Sequence, residues 1–308
     1  MNIDKLSAQE AISQPGRRGG EKDQPTRRAF KVETVFLVLV ALYLVIPLIA
    51  TLVFGLSGPA GLDFYTYQQI LSDHDFSQTL LLSLGLALAA TILAIVLITP
   101  TAYWVQLRLP GLRPLLDILS LVPFAVPPIV MSLGLLQVYG GFNWLSAILS
   151  LGLVPLLSND PFTIVNTPQL LVCAYVIASL PFVYRPIDNS LRAVNTRVLS
   201  EAASSLGSGW WRTFLTIVLP NIWPGVISAA LLTFSTVMGE FTLASLFGIY
   251  TFPIYLNQVG QNDAHKAASL AILSFIITLI CVLGIILLVR QNAQRTGQKS
   301  EIEIGAAK

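Results

Sequence analysis

Long uninterrupted apolar runs alternate with short polar segments along this chain. They cover about 34–56, 78–105, 115–139, 169–187, 222–247 and 268–289. Each is near or above the ~20 residues that an α-helix needs to cross the hydrocarbon of a bilayer. Backbone groups in lipid must be satisfied within their own segment, so runs of this length predict helices. The pattern therefore predicts an all-α membrane protein with six transmembrane helices.

Composition agrees. Of 308 residues, 54% are hydrophobic and only 11% charged, against about 25% charged in a typical soluble domain. A water-soluble globular enzyme is excluded. The cations are unevenly placed: Lys5 to Lys31 holds seven of the 18 Lys and Arg. Arg108 and Arg113 follow the second run, Arg185 at the end of the fourth run is followed by Arg192, Arg197 and Arg212, and Arg290, Arg295, Lys299 and Lys308 follow the sixth, leaving Lys266 alone on the opposite side. By the positive-inside rule both termini and the loop at 188–220 face the cytoplasm, as in a multi-pass protein of a bacterial-type inner membrane. The outer loops carry Asp63, Asp73, Asp75, Asp160 and Asp263, read as the mirror image of that rule. No basic stretch is interleaved with aromatics, so nucleic acid is not an expected partner. Cys173 and Cys281 lie within apolar runs with no ligand-spaced His or Cys; they read as small buried hydrophobes, not as a disulfide or zinc site.

Residues 1–33, with Pro15, Gly16, Gly19, Gly20 and Pro25 among charges, cannot bury enough apolar surface to fold alone and are expected to be a flexible cytoplasmic tail. The first run lacks a small-x-small cleavage pattern, so it is expected to be a retained anchor. The membrane body is expected to span 34–290, with 291–308 as a second cytoplasmic tail. Prolines at 47, 100, 123, 127, 128 and 181 each remove a helix donor. Pro127 and Pro128 mark the strongest break. A broken helix is tolerated in a membrane where neighbours or a water-lined cavity satisfy the freed carbonyls, so this segment reads as a pathway wall or gate, or as a kink that only shapes packing.

The segment 188–220 is too polar to span. Asn195 or Thr196 can cap a helix in which Leu199, Ala202, Ala203 and Leu206 recur at i, i+3, i+4 and i+7, and Gly207 stands where a left-handed C-cap is wanted. Ser208 can cap a second helix with Trp211, Phe214 and Val218 on one face, leading to Leu219 and Pro220. The pattern predicts two short helices lying along the membrane surface.

Glu201-Ala202-Ala203, then Gly207, then Ile217, Leu219 and Pro220 reproduce the EAA-x3-G-x9-I-x-LP signature. In this respect the chain resembles the permease subunits of binding-protein-dependent ABC importers, with their type I or MetI-like fold, over about residues 75–290. The resemblance implies that Glu201, Ala202, Ala203 and Gly207 belong to a coupling helix that fits a cleft in a cytoplasmic ATPase. It further implies two such ATPase subunits, a second permease that is a copy or a paralogue, and an extracytoplasmic solute-binding protein. No G-x-x-x-x-G-K-[ST] loop is present and none of the six lysines follows a glycine. The chain is therefore expected to hold no cofactor of its own, with ATP and Mg bound by the partner.

In the fifth run Glu240, within Gly239-Glu240-Phe241, lies about 18 residues or ~27 Å of helix past the cytoplasmic end. An acid in the outer half of a span is by default a pathway residue, and it would suit a cation such as a polyamine. A structural role, capping a broken helix, is the alternative. The segments around 122–130 and 239–242 resemble the spermidine/putrescine, iron, phosphonate and sulfate/molybdate branches, with a polyamine-like cargo favoured. Two other classes are weaker. An intramembrane enzyme would need paired acids or a Ser-Lys set, whereas His74 and His265 fall in outer loops. A secondary carrier would show inverted repeats, and none is evident.

Overall fold

The computed structural model describes the backbone of residues 27–58, 61–62, 65–139 and 167–306, and side chains over 34–57, 66–139 and 167–287. Asp63 and Asp160, and tail residues 1–26, lie outside the described residues. The chain divides into two units, 1–50 and 51–308. The described part of the first is helical. Helix α1 (Arg27–Leu56) exposes every side chain from 34 to 50, and over Thr34–Leu56 it is long and apolar enough to cross a membrane. It starts inside the segment expected to be a flexible tail, because 27–33 holds no Gly or Pro after Pro25 to stop it.

The described part of the second unit is helical apart from a two-residue antiparallel pairing of Ser57–Gly58 with Gly61–Leu62. After α2 (Tyr65–Ser72) comes α3 (His74–Arg108), the central pillar. Its small buried side chains, Ala87, Ala90 and Ala94, let neighbours approach closely, as helices in lipid require. Against it pack α6 (Pro168–Ala178), α7 (Leu180–Ala193), α10 (Trp223–Met238) and α12 (Phe252–Asn262). Gly225 of α10 meets α7 so closely that a Cβ would stand 2.1 Å from Ser190 Oγ and 2.7 Å from the Pro186 carbonyl. One apolar cluster joins Phe76, Leu171, Tyr175, Phe234, Phe247 and Phe252. The other joins Tyr103, Val183, Ile187, Leu191, Phe214 and Ile222 below it.

Among the described residues, three helices are long and apolar enough to cross a membrane, and six if each of three bent pairs counts as one span. The third expected span is α4 (Arg113–Ala125) plus α5 (Pro128–Tyr139), bent by 99°. The fourth is α6 plus α7, bent by 50° at Ser179. In the fifth, a surface helix, α9 (Trp210–Asn221), turns by 75° into α10, which ends at Met238 and is followed by the short α11 (Thr242–Leu246). The last helix, α13 (Ala264–Ala306), continues through most of the expected tail 291–308. Pro47 and Pro100 lie inside unbroken helices. Cys173 is exposed and Cys281 only partly buried, which corrects the expectation of full burial: Cys281 packs at the margin of the first cluster, and Cys173 stands on an open face of α6. No group of three or more potential metal ligands occurs among the described residues.

Asp73 has a specific use. It caps α3 by accepting from the Asp75 amide at 3.1 Å, and its Oδ2 accepts from the Tyr255 hydroxyl at 2.8 Å and from Lys266 Nζ at 3.2 Å. The starts of α3 and α13 are thereby tied to α12. Burial pushes the Asp73 carboxyl up, but the bonds from Tyr255, Lys266 and the Asp75 amide outweigh it and hold the group below its ordinary 3.8. A carboxyl with a depressed folded pKa contributes stability above its unfolded value and loses it as pH falls through the folded one. Asp73→Asn is thus expected to lower the unfolding midpoint in detergent at neutral pH, by about 1 kcal/mol or less since the pair is partly exposed. The difference from the parent should vanish as pH drops below 3.8; a difference that persists unchanged into strong acid contradicts this role.

Candidate functional site

The surface helix pair forms as the periodicity requires, with its faces reassigned. Helix α8 (Thr196–Ser205) begins after Asn195, which adopts a left-handed backbone (φ 52°) without a side-chain cap. The Thr196 hydroxyl bonds back to the Leu191 carbonyl instead. The helix ends on Gly207 at φ 81°. The Ser208 amide donates to Ala203 O and the Gly207 amide to Ser204 O, both at 3.0 Å. This is the double closure of a left-handed C-cap. Ser208 does not cap the second helix: Gly209 occupies that place, and Ser208 accepts a bond from Thr213 Oγ1 at 3.0 Å.

The EAA residues part company here. Ala203 is buried, 5% exposed, on the side of α8 facing α3 and α9. Glu201, Ala202 and Gly207 are exposed, and Leu206, expected on the apolar face, is 89% exposed. Only Ala202 of the two alanines is free to meet a partner. Glu201 forms an exposed pair with Arg197 one turn before it, at 2.9 Å. On α9, Phe214 and Val218 are buried as expected, but Trp211 is exposed. Trp210 takes its place, packing on Tyr103 and Phe214 with ring centroids 5.3 and 5.7 Å away. The Tyr103 hydroxyl, 3.0 Å from Ser200 Oγ, ties α8 to α3. Over 214–218 α9 widens into a π turn. A cavity of about 350 Å³, lined by Tyr103, Arg108, Arg197, Ser200, Glu201 and Trp210 among others, lies between the end of α3 and the helix pair.

Pro127 and Pro128 stand at the 99° bend between α4 and α5. Val126 and Pro127 each precede a proline and are driven from the helical region; Val126 is extended, at φ −94° and ψ 118°. Helix α5 packs against α11, so the broken third span meets the break in the fifth.

Glu240 occupies that second break. Its carboxylate accepts from the backbone amides of Thr242 at 2.8 Å, Leu243 at 3.0 Å and Ala244 at 3.4 Å. It is also in hydrogen-bonding interaction with Tyr175, which is buried on α6. These amides are donors that the start of α11 leaves unpaired, and a carboxylate there also offsets the positive end of the helix dipole.

A two-part surface helix, spans broken at complementary places and the EAA register match a known family along most of the chain. The family described as "Binding-protein-dependent transport system inner membrane component" matches residues 108–296. The chain belongs to this family. It is 36% identical over 181 residues to the molybdenum transport system permease protein ModB of Azotobacter vinelandii, covering 58% of this chain and 75% of the relative. It is 33% identical over 252 residues to the spermidine/putrescine permease PotB of Escherichia coli K12, covering 79% and 86%. It is 30% identical over 287 residues to the sulfate permease CysW of Synechocystis, covering 89% and 98%. Among solved structures, a bacterial ABC transporter involved in import of the polysaccharide alginate superposes with a TM-score of 0.65 at 15% identity, over 86% of this chain and 94% of that one. A bacterial alginate ABC transporter in complex with an alginate pentasaccharide-bound periplasmic protein gives 0.63 at 14% identity, over 87% and 94%. These two support the fold. The chain is thus a membrane-embedded permease subunit of an ABC importer, a component that is not itself catalytic.

A second charged group of this permease escaped the sequence reading. Asp188, 4% exposed, accepts from Arg113 Nη2 at 3.2 Å and pairs with Arg192 Nη2 at 2.6 Å; Arg192 also lies 3.8 Å from Asp117. The available signal was a pair of reversed i, i+4 motifs, Arg113 with Asp117 and Asp188 with Arg192, which complement each other only once α4 lies beside α7.

Proposed function

We propose that this permease lines the solute path of an inner-membrane importer, with both termini in the cytoplasm, and that α8 and α9 dock a separate ATPase that binds ATP and Mg. The observation that carries the reading is the exposed face of Glu201, Ala202 and Leu206, set beside the left-handed turn at Gly207. Leu206 is a large apolar side chain standing free at a helix end. Such a side chain is a ready anchor for a partner's pocket. Two ATPase copies, a second permease of the same or a paralogous sequence, and an extracytoplasmic binding protein complete the assembly. Pro127, Pro128 and Glu240 mark the two breaks where the path would open.

For cargo, the polyamine reading rests on Glu240 as a cation ligand and on the likeness to PotB. The Glu240 carboxylate is committed to three backbone amides, which leaves it little capacity for a cation and favours a small oxyanion such as molybdate or sulfate, in keeping with the likeness to ModB and CysW. The test is to express the permease with its cognate ATPase and binding protein, purify through the permease, and measure vesicle uptake of labelled molybdate, sulfate and spermidine. Co-purification of the ATPase with uptake of an oxyanion is the expected result. Accumulation of spermidine alone would return the cargo to a polyamine, and a permease that carries solute without an ATPase would overturn the coupling reading.

A further inference from the structure

Helix α4 is held to the body mainly through α7, with lesser contact to α6. At its cytoplasmic end the attachment is ionic, through Arg113 and Asp117 to Asp188 and Arg192. Nearer the bend it is aromatic, Phe124 standing edge-on to Phe182 with centroids 5.2 Å apart. Toward α3 there is instead an apolar cavity of about 270 Å³, lined by Ile98, Ala102, Leu116, Leu119 and Tyr184 among others. One flank of α4 is thus bound and the other has room.

Helix α7 is in turn joined to α8 with little slack. Only Val194 and Asn195 intervene, Thr196 Oγ1 bonds to Leu191 O, and Gln106 Nε2 reaches the same carbonyl at 3.4 Å. A displacement of α8 must therefore carry α7 with it.

We propose that Asp188, with Arg113 and Arg192, is the positioning element that makes the broken third span follow the coupling helix. The proposal rests on the reading of α8 as the ATPase-docking element. A buried ion pair adds little net stability over an apolar pair, but separating one partner leaves an uncompensated charge. Asp188 and Arg113 consequently cannot part as the helices move, and α4 follows α7 into the cavity side. Arg192 is half-exposed and stands between two carboxylates, 2.6 Å from Asp188 and 3.8 Å from Asp117. It can shift weight between them without losing a partner. Beyond Val126 the motion reaches α5, which rests on α11 beside Glu240.

The test uses the complete transporter with its ATPase and binding protein in vesicles, with whichever of labelled molybdate, sulfate or spermidine the parent accumulates as the probe. Solute moved per ATP hydrolysed is compared for the parent, Asp188→Asn, Asp188→Glu, Arg113→Gln and Arg113→Lys. The expected result is that Asp188→Asn and Arg113→Gln keep the ATPase bound and keep binding-protein-stimulated hydrolysis within about twofold. Uptake should fall at least tenfold, and the charge-retaining Glu and Lys variants should recover much of it. A structural staple would lower uptake and hydrolysis together. An unchanged ratio in both neutral variants, or failure of all four to assemble with the ATPase, overturns the proposal. If Asp188→Asn alone fails to assemble, the Arg113 pair decides. Loss of ATPase binding on disruption of the α8 surface at Ala202 is a separate result and bears on the coupling reading alone.

Discussion

Ala203→Asp is expected to abolish uptake, and to do so by undoing the surface helix pair, whereas Ala202→Asp should abolish it with the pair intact. The side chain at 203 is 5% exposed between α8, α3 and α9. A carboxylate placed there is taken out of water, and an uncompensated buried charge costs about 3–5 kcal/mol, more than a ten-residue helix can absorb. Ala202 is exposed, so an acid there is solvated in the isolated chain and penalised only when a partner closes over it. Both variants should lose ATPase on purification. Amide exchange across 196–218 should rise several-fold for Ala203→Asp and stay at the parental rate for Ala202→Asp. Equal protection in both, or retained uptake in either, would contradict the assignment of the two faces. Gly207 supplies a control. A Cβ there meets nothing within 4 Å, and the difficulty lies wholly in φ 81°. Gly207→Val then costs about 1–2 kcal/mol of backbone strain, while Gly207→Asn, which tolerates that backbone, should leave most of the activity.

Those faces show where the sequence was readable. Apolar run length located the spans because a bilayer imposes its thickness on each segment independently. Breaks were only partly legible. The tandem Pro127 and Pro128 were found because consecutive prolines restrict two residues at once. Lone prolines at 47 and 100 leave their helices continuous, since one missing amide within a long helix costs a single bond. Pro181 was noted, but the turn itself falls at Ser179, with Pro181 at the favoured start of the next helix. On the surface pair the 3.6-residue period chose the right helices and the wrong tryptophan. Trp210 and Trp211 differ by 100° about the axis, and the π turn at 214–218 shifts the register that the period assumes. Leu206 was placed on the inner face because hydrophobicity alone cannot tell a core residue from an exposed one. The Arg113–Asp188 pairing joins residues 75 apart, a distance no local pattern spans.

Glu240→Ala is expected to unfold α11 and destabilise the outer half of the permease, and Glu240→Gln to do so partially, without changing which solute is carried. The carboxylate bonds the amides of Thr242, Leu243 and Ala244, with both oxygens on Leu243. Helix α11 has five residues, too few to persist on its own hydrogen bonds. Hydrogen bonds to a charged group contribute about 1.5–3 kcal/mol each. Deleting the carboxylate should therefore cost several kcal/mol, and loosen α5, which packs on α11. Gln offers one carbonyl oxygen where Glu offers two acceptors, so it can hold one or two of the three amides. The unfolding midpoint of the purified permease should fall in the order parent, Gln, Ala. Uptake should fall in the same order, with an unchanged ratio among labelled molybdate, sulfate and spermidine. The alternative, a carboxylate that binds the cargo, predicts the opposite separation: Glu240→Gln at parental stability, with the uptake of one solute lost. That outcome would make the acid a pathway ligand and restore a cationic cargo, because a carboxylate released from the helix end is the only acid in the fifth span available to a cation.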